Sequence, residues 1–327
     1  MKIAFLTAFY PPKWIGGTEV ASKNLVSELK KRNDVEVITS SGKIPKFNVL
    51  GYLISSWIKL IRKDYDVVHC QSTFPALSAL FSGKKYFVYC RGSDIYLARG
   101  WKKLINRIVL RNAKGVISLT KDMQNRIKKD YDVKSVIVPN GNNFEGVRKM
   151  KKDDDVPRVI YVGTLKKIKG VDYLLKSVAS LKDNFELWII GSGPEKESLQ
   201  ELSSDLKLKG VKFLGRKTGR KLVWAMSQGD VLVLPSFSEG FPNVILEGMS
   251  LGMPIIATDV GGVREILKEG YNGFVIPARD SKKMREKISL LIKSKILQKK
   301  FSKNNLKDVK KYSWSNAAKR LESLYNS

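Results

Sequence analysis

Two glutamates and a set of short glycine-bearing loops carry the chemistry this chain could do. Glu239 and Glu247 lie in the stretch Val231 to Glu247, VLVLPSFSEGFPNVILE. The stretch opens as an apolar run too short for a membrane and of the right length for a buried parallel strand. The run breaks at Pro235-Ser236, and a loop then carries Glu239 and Gly240. Pro242 stands where a helix would begin, because the missing N–H of proline is an orphan at the first helical position. Such a strand–loop–helix junction presents free amides and the positive end of a helix dipole, which favour an anion and above all a phosphate. Gly240 would let that anion approach the backbone. A carboxylate there repels phosphate, so Glu239 and Glu247, the latter about one turn into the helix, are suited to a different partner. A sugar diol, which donates two strong hydrogen bonds to a carboxylate, fits.

The elements that must position these residues are legible as alternating strands and helices. Residues 2–7 read as a first strand, followed by Tyr10-Pro11-Pro12 and by Gly16-Gly17-Thr18-Glu19 opening a helix to about Arg32. Gly16 and Gly17 permit either a tight turn or a close backbone approach to a ligand. Further strands are expected at 35–39, 66–69, 86–90, 115–119 and 135–138, with Pro139-Asn140-Gly141-Asn142 as a strong turn. Lys149 to Pro157, a charged segment, marks the expected boundary between two domains. The second set of strands is expected at 158–162, 186–190, 211–214, 255–257 and 273–276, together with the run beginning at Val231. Glycine turns lead from strands to helices at Gly163, at Gly191-Ser192-Gly193 and at Gly215. Two successive sets of this kind imply an α/β protein with parallel, doubly wound sheets.

Composition narrows the function classes. The chain has 327 residues, enough for two domains, and 43% apolar residues, ample for their cores. No run approaches the ~20 apolar residues of a membrane span, and the N-terminus reads as a strand, not a signal peptide. The two cysteines, Cys70 and Cys90, are expected to be buried thiols of a cytosolic protein, because two alone make no disulfide framework. With one histidine, His69, and no acidic cluster, no metal site is expected. Sixty Lys and Arg against 31 Asp and Glu give a net charge of +29. Such a field attracts anionic partners, although much of it can be solvated lysine on helix faces. Ser281 to Lys311 alone holds twelve basic and two acidic residues. Residues 49–61 and 96–111 are expected to be helices mixing aromatic, apolar and basic residues, which suits either a membrane interface or core packing with a basic outer face.

The order Ser-x-x-Glu-Gly-Phe-Pro-Asn-x-x-x-Glu-Gly from Ser236 to Gly248 resembles the signature of glycosyltransferase family 4. The likeness extends through Gly252 to Thr258, Gly261 to Ile266 and Asn272-Gly273, and back to Gly16-Gly17, Pro139-Asn140-Gly141 and Lys169-Gly170. It implies the GT-B fold over essentially the whole chain: two Rossmann-like domains facing each other across a cleft. The first would be an acceptor-side domain of residues 1–150, completed by a final helix at about 312–327; the second would be a nucleotide-sugar-binding domain of residues 151–311. It also implies a retaining glycosyltransferase that moves a sugar from a nucleotide-diphosphate donor to an acceptor hydroxyl without a cofactor or metal.

The resemblance assigns roles residue by residue. Glu239, Lys169 and Asp94 would be catalytic. Lys169 would neutralise the departing diphosphate, helped by amides around Gly240, Phe241, Asn243 and Val244, with Pro242 also at the donor site; Glu239 would hold sugar hydroxyls and Glu247 the ribose diol. Gly16, Gly17, Thr164, Gly191, Gly193 and Arg216 would complete the donor site, with Arg216 near the base. Two positions depart from the family pattern. Arg91 stands where the family commonly has histidine, in Arg91-Gly92-Ser93-Asp94, and is left to bind a phosphate of donor or acceptor. Thr164 stands where the family has arginine, so Lys166 or Lys167 would supply that charge. Asp94 could touch the acceptor or simply cap a turn. The expected partners are a nucleotide sugar and an acceptor glycan or glycolipid, with an anionic membrane surface on the cytoplasmic side as a candidate and no nucleic acid, since no nucleic-acid motif is present. Competing readings are a nucleotide-sugar epimerase of the same fold and a basic anion- or nucleic-acid-binding protein without transferase activity.

Overall fold

The computed structural model describes residues 1–11, 16–40, 48–181 and 184–327; Pro12 lies outside them. The chain divides into two compact units, one made of Met1–Asn143 with Tyr312–Ser327 and the other of Phe144–Lys311. Each is built on a six-stranded sheet, parallel throughout.

The first sheet takes β1 (Lys2–Leu6), β2 (Asp34–Ile38), β3 (Val67–Cys70), β4 (Tyr86–Tyr89), β5 (Gly115–Ser118) and β6 (Val136–Ile137). Their order in space is β2-β1-β3-β4-β5-β6. The second takes β7 (Arg158–Val162), β8 (Glu186–Ile190), β9 (Val211–Gly215), β10 (Val231–Leu234), β11 (Ile255–Thr258) and β12 (Gly273–Ile276), ordered β12-β11-β10-β7-β8-β9. The central strands are apolar on both faces because helices cover both; Val231–Leu234 and Ile255–Thr258 are buried at every residue. Parallel crossovers are right-handed, so a reversal of strand order moves the helices to the opposite face. The order reverses between β1 and β3 in the first sheet and between β7 and β10 in the second. Loops beyond the carboxyl ends of strands at such a switch point diverge and leave room for a ligand.

Two stretches differ from expectation. Residues 96–111 are not one helix: a short helix, Ser93–Tyr96, ends, and a second, Trp101–Arg111, starts after Gly100, whose φ of 51° breaks the spiral. The charged segment Lys149–Pro157 is held to the second unit and does not connect freely. The Met150 amide donates to Ser227 Oγ at 3.0 Å, the Asp153 amide to Gln228 Oε1 at 2.8 Å, and Lys152 Nζ to Asp230 Oδ2 at 2.6 Å. The basic stretch after Ser281 is two helices, Ser281–Lys293 and Lys295–Asp308, and their inner faces bury Met284, Ile288, Leu291 and Phe301 in the core.

The last helix, Trp314–Tyr325, packs beside the helix Gly17–Leu29. Glu322 accepts from Arg32 Nε at 2.9 Å and from Asn33 Nδ2 at 2.6 Å. Gly141 makes room for this chain return, since a Cβ there would lie 2.3 Å from the Trp314 nitrogen. Underneath, a buried hydrogen-bond chain joins the two helices. The Tyr325 hydroxyl meets His69 Nδ1 at 2.5 Å, and His69 Nε2 meets Gln71 Oε1 at 3.0 Å. Gln71 Nε2 donates to Ser22 Oγ at 2.8 Å, and Ser22 Oγ donates to the Thr18 carbonyl at 2.8 Å. Gln71 can only accept at Oε1, so Nε2 of His69 carries the proton and Nδ1 accepts from tyrosine. Cys70 and Cys90 are buried free thiols.

Burial pushes the His69 pKa down to about 4, against a hydrogen bond to Gln71 that raises it. In the unfolded chain the imidazole would titrate near its ordinary value of about 6.5. The unfolded state therefore binds the extra proton between those values, and stability falls as pH drops through that window. Unfolding by denaturant is expected to show a loss of about 2 kcal/mol between pH 7 and pH 5. His69→Gln is expected to flatten that slope; an equal slope in the variant would refute the assignment.

Candidate functional site

In the second unit, the loops leaving β7 and β10, the two strands at the switch point, are stitched together. The Phe237 amide donates to the Ile168 carbonyl at 2.8 Å. Gly170 has φ of 62°, and a Cβ there would sit 2.2 Å from the Pro235 carbonyl oxygen. This approach turns Lys169 inward, and its ammonium lies 2.7 Å from Glu239 Oε1. Ser236 Oγ donates to the same oxygen at 2.6 Å. The lysine side chain is 24% exposed and the glutamate 10%, so the pair is screened from bulk water but reachable. The sequence placed these residues 70 positions apart; the pairing of β7 with β10 and the bond between their loops bring them into contact.

Two more loops complete the cluster. Gly191 lies against the first loop so closely that a Cβ would come within 1.8 Å of the Gly163 carbonyl, and one on Gly193 would come within 2.3 Å of the Leu165 carbonyl. The Leu165 amide donates to the Ser192 carbonyl at 3.0 Å. From the end of β11, Thr258 Oγ1 donates to the Ser236 carbonyl. Gly261, with φ of 51°, supports Glu239 directly, since a Cβ would fall 1.8 Å from the Glu239 carbonyl oxygen. Loops after β7, β8, β10 and β11 thus meet backbone to backbone at one end of the sheet.

The helix Asn243–Ser250 starts one residue later than expected. Pro242 is its N-cap, with ψ of 93°, and its carbonyl accepts from the Ile245 amide at 3.0 Å. Phe241 is buried, Asn243 and Val244 are partly exposed, and Glu247 is buried on the inner side of the helix. Gly240 is partly exposed at the loop tip. Thr164 is exposed, and its carbonyl accepts from the Tyr161 hydroxyl at 3.0 Å. Lys166 and Lys167 are exposed and line an open groove with Asp172, Lys176 and Phe237. Arg216 is exposed on the loop after β9.

In the first unit, Gly16 caps the helix Gly17–Leu29 with its carbonyl, accepting from the Val20 amide at 3.0 Å. The loop after β4 is held by Asp94, whose carboxylate accepts from the amides of Arg91 at 2.9 Å, Gly92 at 2.8 Å and Thr73 at 3.4 Å. Burial pushes the Asp94 carboxyl up, and these three amides and Arg91 pull it back down. Asp94 is therefore a turn fastener that ties the β4 loop to the β3 loop. Arg91 lies over the Tyr89 ring at 4.8 Å, and its Nε and Nη1 are buried without a hydrogen-bond partner.

Sequence reasoning named Ser236 within the signature but not its bond to Glu239, and did not single out Tyr89 or the steric duties of Gly170 and Gly261. Gly-Gly after a strand and Lys-Gly before a helix were the available signals, but only the fold shows what each glycine touches. Among the described residues no group of three or more His, Cys, Asp or Glu could hold a metal ion, and no helix is long and apolar enough to cross a membrane.

Residues 142–308 match the family of glycosyl transferases group 1, and residues 15–145 match Glycosyltransferase Family 4. The chain belongs to the group 1 glycosyltransferases. It is 28% identical to an uncharacterized glycosyltransferase of Methanocaldococcus jannaschii, with 99% of this chain and 98% of that protein aligned. Among solved structures, this glycosyltransferase resembles sucrose-phosphate synthase from Thermosynechococcus elongatus, with a TM-score of 0.89 at 19% identity over 99% and 98% of the two chains. It also resembles Anabaena HepE in complex with UDP and glucose, with a TM-score of 0.86 at 17% identity over the full length of both. The fold is GT-B.

Gly261→Ala tests the backbone cluster. The left-handed conformation and the clash with the Glu239 carbonyl are expected to cost about 2 kcal/mol in thermal unfolding. They are also expected to lower kcat by more than about tenfold, because the displaced carboxylate no longer meets its target. Unchanged values of both would show that the loop yields without consequence.

Proposed function

We propose that this glycosyltransferase is a retaining enzyme that moves a sugar from a UDP-sugar to an acceptor hydroxyl. The observation that carries the reading is the meeting of Lys169 and Glu239 at 2.7 Å where the order of the second sheet reverses. One group is complementary to a diphosphate and the other to sugar hydroxyls. The UDP and UDP-glucose complexes of HepE, which has the same fold, support a UDP-sugar as donor.

In this reading the amides at the start of the helix Asn243–Ser250, with Gly240 and Phe241, receive the diphosphate, and Lys169 neutralises the charge that grows as the glycosidic bond breaks. Glu239 holds sugar hydroxyls and is itself held by Ser236. Glu247 takes the ribose diol, and Arg216 borders the base. Gly16, Gly17, Thr164, Gly191 and Gly193 shape the loops around the donor. The bond from the anomeric carbon to the diphosphate oxygen breaks, the bond to the acceptor oxygen forms on the same face, and the departing phosphate takes the acceptor proton. No side chain is nominated as a nucleophile, and charge is neutralised by lysine and amides without a metal or cofactor. Arg91, steadied by Asp94 and Tyr89, binds an anionic group of the donor or acceptor. The acceptor is a hydroxyl of a glycolipid, a lipid-linked sugar or a polysaccharide precursor at the cytoplasmic face of a membrane. The net charge of +29 supports that placement.

Glu239→Ala and Lys169→Ala are each expected to cut transfer by at least about a thousandfold while the protein stays folded; full activity in either would sink the site. Glu247→Ala is expected chiefly to weaken nucleotide binding, read as a smaller thermal shift with UDP. Saturating UDP-glucose, at a hundred times its dissociation constant, is expected to add about 2.7 kcal/mol to the stability of the wild type. No shift with any uridine, guanosine or adenosine diphosphate sugar would argue against the donor class.

A further inference from the structure

Two helices of the first unit carry an apolar stripe on the outside as well as on the side that packs inward. In the helix Asn48–Arg62, Leu50, Ile54, Trp57 and Ile61 recur at intervals of four, three and four residues and so share one stripe. That stripe faces outward: Leu50 is 65% exposed and Ile61 48%, while the inward stripe buries Ser56 with Tyr52 and Leu60. In the helix Trp101–Arg111, Trp101, Leu104 and Ile108 are 68%, 60% and 45% exposed, while Asn106, Val109 and Leu110 are buried. A helix that packs only on its own core keeps its outward face polar.

The two stripes belong to one surface. The chain steps from β2 to β3, β4 and β5 in one direction across the sheet, apart from the passage over β1, so right-handed crossovers place these helices on the same face. The short helix Ala76–Leu80 lies between them and packs beside both. Ser78 Oγ donates to the Leu53 carbonyl at 2.9 Å, and Trp57 Nε1 donates to the Phe81 carbonyl at 3.0 Å. Phe81, 72% exposed, adds to the apolar band. Neither long helix contains an acidic residue, and Lys59, Arg62, Lys102 and Arg107 are exposed beside the apolar stripes.

We propose that this face is the surface on which the enzyme lies on an anionic lipid bilayer, a refinement that rests on the membrane-surface reading above. Tryptophan, leucine and isoleucine enter the headgroup boundary, and the lysine and arginine stems reach past them to lipid phosphates. The charge selects the occupant. A second copy would bring a like-charged face from a chain of net charge +29, whereas an anionic bilayer answers both the apolar band and its cations.

The test is sedimentation of the full chain with phosphatidylcholine vesicles, with and without 30 mole per cent phosphatidylglycerol (about the proportion of a moderately anionic membrane). Partitioning is expected to be at least about tenfold stronger with the anionic lipid, and to weaken in high salt. The double variant Trp101→Ser/Leu104→Ser, altered only at exposed sites, is expected to lose about tenfold in partitioning with its melting temperature and its thermal shift with UDP-glucose unchanged. Wild-type protein that stays in the supernatant overturns the proposal. So does a double variant that binds as tightly as the wild type, which would place the contact on basic helices elsewhere. A concentration-dependent dimer broken by Trp101→Ser would assign the face to a second copy and overturn it as well. UDP-glucose binding without vesicle binding would remove the docking face and leave the transferase reading standing; vesicle binding without nucleotide-sugar binding would do the opposite.

Discussion

The site in the second unit depends on how closely backbones can approach one another. Four loops beyond β7, β8, β10 and β11 press carbonyl against glycine at separations no side chain could tolerate, from Gly191 on Gly163 to Gly261 on Glu239. That contact removes freedom from the loops and places Lys169 and Glu239 with little slack. An ammonium and a carboxylate on long, loosely held side chains would cost rotamer entropy to bring together. Here the loop geometry has already restricted them. The low exposure of both groups strengthens every electrostatic interaction at the site relative to bulk water.

The first unit answers the same constraint in another way. Its loop after β4 is fastened by a carboxylate, Asp94, whose three backbone amides come from both the β4 and β3 loops. The result is an arginine held over an aromatic ring, with two buried donors and no internal acceptor. Around it, burial dominates: His69 is kept neutral, and its hydrogen bonds link the first and last helices into one packed body. A sequence with a single histidine uses it as a structural connector.

Sequence and structure agree best where a signal is local or ordered along the chain. The alternation of buried apolar runs with helices announced two parallel sheets, and the ordered residues from Ser236 to Gly248 announced the family that residues 142–308 match. They agree less where a local rule is overridden. Residues 96–111 have helical composition throughout, yet Gly100 adopts a left-handed conformation and divides them. The charged segment at Lys149–Pro157 has the composition of a connecting stretch, yet hydrogen bonds from Met150, Lys152 and Asp153 tie it to the second unit. The spacing of apolar residues also could not say which way the helix Asn48–Arg62 faces, because an apolar stripe has the same period whether it meets a core or a membrane.

Fold class, family and the residue types of the candidate site follow from the chain alone. Periodicity, glycine placement and motif order are properties of the chain that survive without coordinates. Which of those residues meet is a matter of packing in three dimensions. Lys169 and Glu239 are brought together by the pairing of β7 with β10, while Lys166 and Lys167, nearly adjacent in sequence to Lys169, line an open groove with Asp172 and Lys176. Asp94 takes its bonds from backbone amides of its own loop, partners that the residue type alone does not name. The physical reason is the same in each case. A side chain's type sets what it can bond, but its partners are set by backbone packing between segments distant in sequence.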